Sequence, residues 1–67
     1  MKNMASVMIF DKERVTVESG ITIEKAVSAS GRFPDTYLYV INGTPVPMTT
    51  VIENNVEIKA IRIASGG

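Results

Sequence analysis

Only one stretch of this chain carries a helical period, and strand-like runs flank it on both sides. Ile23, Ala26, Val27 and Ser30 fall at i, i+3, i+4 and i+7, which makes a narrow apolar stripe. Thr22 stands where an N-cap belongs, and Glu24 sits in the first turn, where a negative charge suits the helix dipole. Gly31 occupies a C′ position and Pro34 follows soon after, so a helix is expected over about residues 23–30. A helix this short is not stable alone in water and must be held by packing. The remaining apolar runs must therefore supply a sheet for it to lie on.

Those runs are legible in order. Val7-Met8-Ile9-Phe10 is rich in strand formers, Asp11-Lys12-Glu13 reads as a turn, and Arg14-Val15-Thr16-Val17-Glu18 alternates with Val15 and Val17 on one face. The two runs make a hairpin, although the turn lacks the Asn-Gly pair of the tightest type. Tyr37-Leu38-Tyr39-Val40-Ile41 is a dense strand run closed by Asn42-Gly43. Thr44-Pro45-Val46-Pro47 can form only a short edge strand, because proline cannot donate to a ladder. Residues 48–55 read as a connecting loop with Asn54-Asn55, which tolerate left-handed turns, and the last strand is expected over about 56–63. The result is an α+β class with order β-β-α-β-β-β. This is the order of a β-grasp domain, in which a mixed sheet wraps one helix.

Composition narrows the chemistry. A chain of 67 residues, 45% of them hydrophobic, makes one small domain, which buries only about 60% of its unfolded surface. There is no cysteine, so disulfides and thiolate metal sites are excluded, and no histidine. The usual catalytic bases and nucleophiles reduce to scattered carboxylates, lysines and hydroxyls. Seven basic residues balance seven acidic ones with no basic run, so nucleic acid is not an expected partner. The apolar stretch after Met1 breaks at Asp11, too soon for a signal peptide or a membrane span, and the cytoplasm is the default expectation.

The final strand run leads into Gly66-Gly67. Glycine makes up about 7% of average proteins, so two together at a given place arise by chance about once in 200. Without a Cβ, such a segment can thread a narrow channel and bring a bare carboxylate into a partner's active site. The competing reading is an ordinary frayed terminus. Residues 1–63 are expected to form the domain and residues 64–67 a flexible tail, since Ala64 and Ser65 offer little surface for docking.

With the tail, the strand order and the stretch Asn42-Gly43-Thr44-Pro45-Val46-Pro47, the chain resembles the ubiquitin-like β-grasp sulfur carriers and small archaeal modifiers. That family includes the thiamin sulfur carrier and the small subunit of molybdopterin synthase. The resemblance covers essentially the whole chain. It departs where an Asp-Gly turn often precedes the last strand and this chain has Asn54-Asn55. It implies a monomeric carrier rather than an enzyme, one that binds no cofactor itself. A partner of the ubiquitin-activating type would use ATP and magnesium to adenylate the Gly67 carboxylate. A persulfide sulfur would then give a thiocarboxylate for thiamin, molybdopterin or tRNA thiolation, or a target lysine would give an isopeptide bond. The alternative is a non-catalytic β-grasp interaction module with an inert tail.

A carrier needs a docking surface. If Val7 and Ile9 face the helix, Met8 and Phe10 lie on the outer sheet face near Leu38 and Val40, forming a candidate partner patch. Lys59 and Arg62 either guide the tail into an acidic cleft or, the reading composition favours, are solvated strand charges. Lys59 also sits where small archaeal modifiers can carry a modified lysine. The carboxylates show no metal-ligand spacing, and Tyr37 and Tyr39, without a basic face, read as structural.

Overall fold

The computed structural model describes residues 5–63. Five strands, β1 (Ser6–Phe10), β2 (Glu13–Val17), β3 (Tyr37–Ile41), β4 (Thr44–Val46) and β5 (Glu57–Arg62), form one sheet in the order β2-β1-β5-β3-β4. The sheet is mixed: β1 and β5 run parallel at its centre, and the other pairs are antiparallel. One helix, α1 (Ile23–Ala29), packs on it. This is a small α+β domain, compatible with the expected β-grasp.

The helix begins and ends as its sequence dictates. The Thr22 hydroxyl accepts the Lys25 N–H at 3.3 Å. Gly31, at φ 88°, takes the left-handed conformation that ends the helix. Its N–H donates to the Ser28 carbonyl and that of Arg32 to Val27, the reciprocal pair of a Schellman cap. Ile23, Ala26 and Val27 are buried, but Ser30, the fourth residue of the expected stripe, is the exposed C-cap, where its hydroxyl donates to the Val27 carbonyl at 2.7 Å.

Asn42 and Gly43 both take positive φ, 54° and 78°, the primed turn whose twist matches its strands. It sets Ile41 opposite Thr44 and leaves β4, with Pro45, at the sheet edge. Asn55 adopts φ 59°, so asparagine does supply the left-handed residue ahead of β5.

The expected facing of β1 is reversed. A three-residue turn at 11–13 would oppose Val7 to Val17 and Ile9 to Val15. The observed connection is two residues, Asp11 and Lys12, with Asp11 at φ 59°. Phe10 therefore pairs with Glu13, Met8 with Val15 and Ser6 with Val17. One residue of slip exchanges the faces. Met8 and Phe10 are core residues, at 0% and 5% exposure, and Val7 and Ile9 are on the outer face.

The core comprises Met8, Phe10, Val17, Ile23, Ala26, Val27, Tyr39, Ile52, Ile58 and Ala60. Ile52 belongs to the segment expected as a plain loop. That segment runs against the start of α1: Ile23 and Glu24 donate their free N–H groups to the carbonyls of Thr50 and Met48, and Ile52 exchanges with Ile21 and Gly20. Ser6, which is buried, donates its hydroxyl to the Glu53 carbonyl at 2.6 Å and accepts the Val56 N–H at 3.1 Å. It thereby ties the first strand to the entry of the last.

Candidate docking surface

The outer sheet face is built by strand register. Ile9, Lys59 and Val40 stand in one row across β1, β5 and β3, with Pro45 beyond on β4. Val7 and Glu57 form the next row, and Leu38 faces Ile61 at the other end. Leu38 and Ile61 are each about half exposed, at 53% and 51%. Val7, Ile9 and Val40 are half-buried. Leu38 and Val40 thus occupy the face expected of them, while Met8 and Phe10 leave it to Val7 and Ile9. Clean alternation in β2, taken with a two-residue turn, was the signal that could have given this.

Lys59 is exposed at the centre of the face, flanked by apolar residues on both neighbouring strands. Arg14 and Glu57 stand 3.8 Å apart across the same face, both well solvated, a distance at which an exposed pair adds little. Arg62 lies opposite Tyr37, so it falls on the helix side of the sheet, at the end where β5 finishes. The two sequence-predicted cations therefore lie on opposite sides of one strand. Both border a groove of about 1010 Å³, whose other walls include Phe10, Lys12, Arg32 and Tyr37.

That groove has a fixed floor. The Phe10 ring meets Tyr37 edge-on at 5.2 Å between centroids, and the Arg32 guanidinium lies 4.2 Å from the Phe10 centroid. Arg32 also donates to Glu13 at 2.6 Å. Behind it, the Tyr39 hydroxyl donates to the Pro34 carbonyl at 2.8 Å. Burial, then the neighbouring Tyr37 and Asp35, push the Tyr39 phenol up to about 12. Among the described residues, no group of three or more carboxylates could hold a metal, and no helix is long and apolar enough to cross a membrane.

Gly66 and Gly67, the residues expected to react, lie outside the described residues, as does the whole segment 64–67. The last described residue, Ile63, donates its N–H to the Thr36 carbonyl at 2.9 Å. Pairing thus continues one residue past β5, so the chain is held by the domain up to the point where that segment starts. No protein-family model matches the chain, and no curated protein sequence matches it.

Proposed function

We propose that this chain is a ubiquitin-like β-grasp carrier or modifier that acts through the carboxylate of Gly67. The observation that carries this reading is the placement of Ser65-Gly66-Gly67 after β5. This strand is paired on both sides at the centre of the sheet and anchored at its end by Ile63. A central strand transmits the position of the whole domain to the segment beyond it. The element order and the single helix on a mixed sheet support the same fold family.

The chemistry follows from the weakness of a carboxylate as an electrophile. In the partner's active site, a Gly67 carboxylate oxygen attacks the α-phosphorus of magnesium-bound ATP and releases pyrophosphate. The resulting acyl-adenylate carries no repelling negative charge on the carbonyl and has AMP as leaving group. A persulfide sulfur displaces AMP to give an acyl disulfide. A second thiol of the sulfur donor or partner cleaves its S–S bond by exchange, leaving the thiocarboxylate on Gly67 and a disulfide on the partner. Alternatively, a lysine amine displaces AMP to form an isopeptide. In this reading the outer sheet face, with Val7, Ile9, Leu38 and Val40, contacts the activating partner, and Lys59 and Arg62 supply charge.

Deletion of Gly67, or addition of one residue after it, tests the proposal. Either change should abolish adenylation by the host's activating enzyme, followed as pyrophosphate exchange, while the melting temperature stays that of the parent chain. Undiminished exchange by the shortened chain would refute it.

A further inference from the structure

Five large hydrophobic residues stand well exposed among the described residues, and four of them, Phe33, Leu38, Ile61 and Ile63, gather at one end. Leu38 and Ile61 are direct cross-strand neighbours. Ile63 bonds to Thr36, and Thr36 closes the short 3-10 turn (Pro34–Thr36) that Phe33 caps. Only Val51 lies at the opposite end, beside the start of α1. Single exposed apolar residues are ordinary, but a cluster marks a contact surface.

Phe33 is the most exposed, at 76%, yet its backbone is tightly held. Its carbonyl accepts both the Thr36 N–H at 3.1 Å and the Thr36 hydroxyl at 2.7 Å. Pro34 follows it, and Arg32 before it is fastened to Glu13. An aromatic side chain presented on a fixed backbone loses little entropy on binding, the property of an interface anchor.

Charge indicates what covers it. In the adjoining groove Glu13 is taken by Arg32, which leaves Lys12, Lys59 and Arg62 without an ion pair among the described residues and Asp11 as the one unpaired carboxylate. Asp35, exposed in the 3-10 turn, is a further carboxylate at this end. Lys12, Arg32, Lys59 and Arg62 thus stand there against Asp11, Glu13 and Asp35, a small positive excess. At the opposite end Glu18, Glu24 and Glu53 outnumber Lys25, and Glu57 is faced by Arg14. An acidic partner is drawn to the first end and repelled by the second, which sets its orientation.

We infer that the activating partner grips this chain at the base of the tail, seating Phe33, Leu38, Ile61 and Ile63 in an apolar depression rimmed by carboxylates. The grip is therefore not centred on the middle of the sheet. This rests on the carrier reading above and adds the chemistry of the partner's surface to it.

The test is pyrophosphate exchange by the host's ATP-dependent adenylating enzymes with the full-length chain and four classes of variant. Phe33→Asp and Ile61→Gln should each raise KM about tenfold or more with kcat unchanged, as should the charge reversal Arg62→Glu. Val51→Asp, at the far end and exposed to the same degree as Ile61, should stay within about twofold. Melting curves should be unaltered for Phe33→Asp and Val51→Asp. Exchange with the parent chain but unchanged KM for Phe33→Asp would overturn the inference and leave the carrier reading standing. So would larger effects from Ile9→Ala and Val40→Ala. No exchange with the parent chain by any of those enzymes would overturn both.

Discussion

The guanidinium of Arg32 lies over the ring of Phe10, 4.2 Å from its centroid, and reaches past it to Glu13 at 2.6 Å. One side chain thus joins the end of α1 to both strands of the first hairpin. The arrangement exists because the two-residue turn puts Glu13 opposite Phe10 and so on the same face. The Schellman cap at Gly31 aims Arg32 back across them.

Arg32→Ala should therefore cost about 1–2 kcal/mol, combining the loss of a cation–π contact with that of a partly solvated ion pair. Arg32→Met should recover part of this by covering the ring. Urea unfolding of the three proteins measures it. An Arg32→Ala chain as stable as the parent would show that the contact contributes nothing in solution.

Phe10→Asp should abolish folding, since truncation of a buried phenylalanine alone costs about 3–5 kcal/mol and an unpaired carboxylate adds to that. Val40→Asp, at a half-buried outer position, should be tolerated far better. Paired thermal melts discriminate between the two faces of the sheet. Equal melting temperatures would contradict the register described for β1.

Ser6→Ala removes the hydroxyl that serves both the Glu53 carbonyl and the Val56 N–H. The predicted loss is about 1–3 kcal/mol, the cost of leaving buried backbone groups unsatisfied. Hydrogen exchange at Val56 should accelerate with it. Unchanged exchange there would mean that water replaces the serine without loss.

Tyr39 makes stability fall at high pH. Its folded-state pKa is raised to about 12 from an ordinary 10, so the folded chain resists losing the phenolic proton. The contribution is fully present below pH 10 and is lost as pH rises from there through about 12. A Tyr39→Phe chain should lack this alkaline component, although it forgoes the bond to Pro34 at about 0.5–1.5 kcal/mol. Denaturant titrations between pH 8 and 11.5 compare them, and parallel pH profiles would contradict the assignment.

Most of the architecture was legible because short-range chemistry decides it. Thr22 and Gly31 bracket the helix, and Asn42-Gly43 fixes the β3–β4 turn, through contacts within a few residues of sequence. The facing of β1 was not legible from Val7-Met8-Ile9-Phe10 itself, since four apolar residues in a row carry no alternation. It depended on whether Asp11 would adopt a left-handed conformation and shorten the turn. The core role of Ile52 and the capping of Ile23 and Glu24 by the 48–55 segment are long-range pairings with no local signature. Of the candidate site, Leu38 and Val40 were placed by simple alternation. Phe33 escaped notice because nothing in a helix-to-strand connection marks a side chain as exposed.

The central claim concerns the chemical state of one carboxylate, and intact-mass analysis of the protein purified from its native host tests it most directly. The account predicts a chain ending at Gly67, with a fraction carrying sulfur in place of one carboxylate oxygen or joined through Gly67 to lysines of other proteins. A chain found only as the free acid, under conditions where the host's thiolation and conjugation pathways are active, would contradict it.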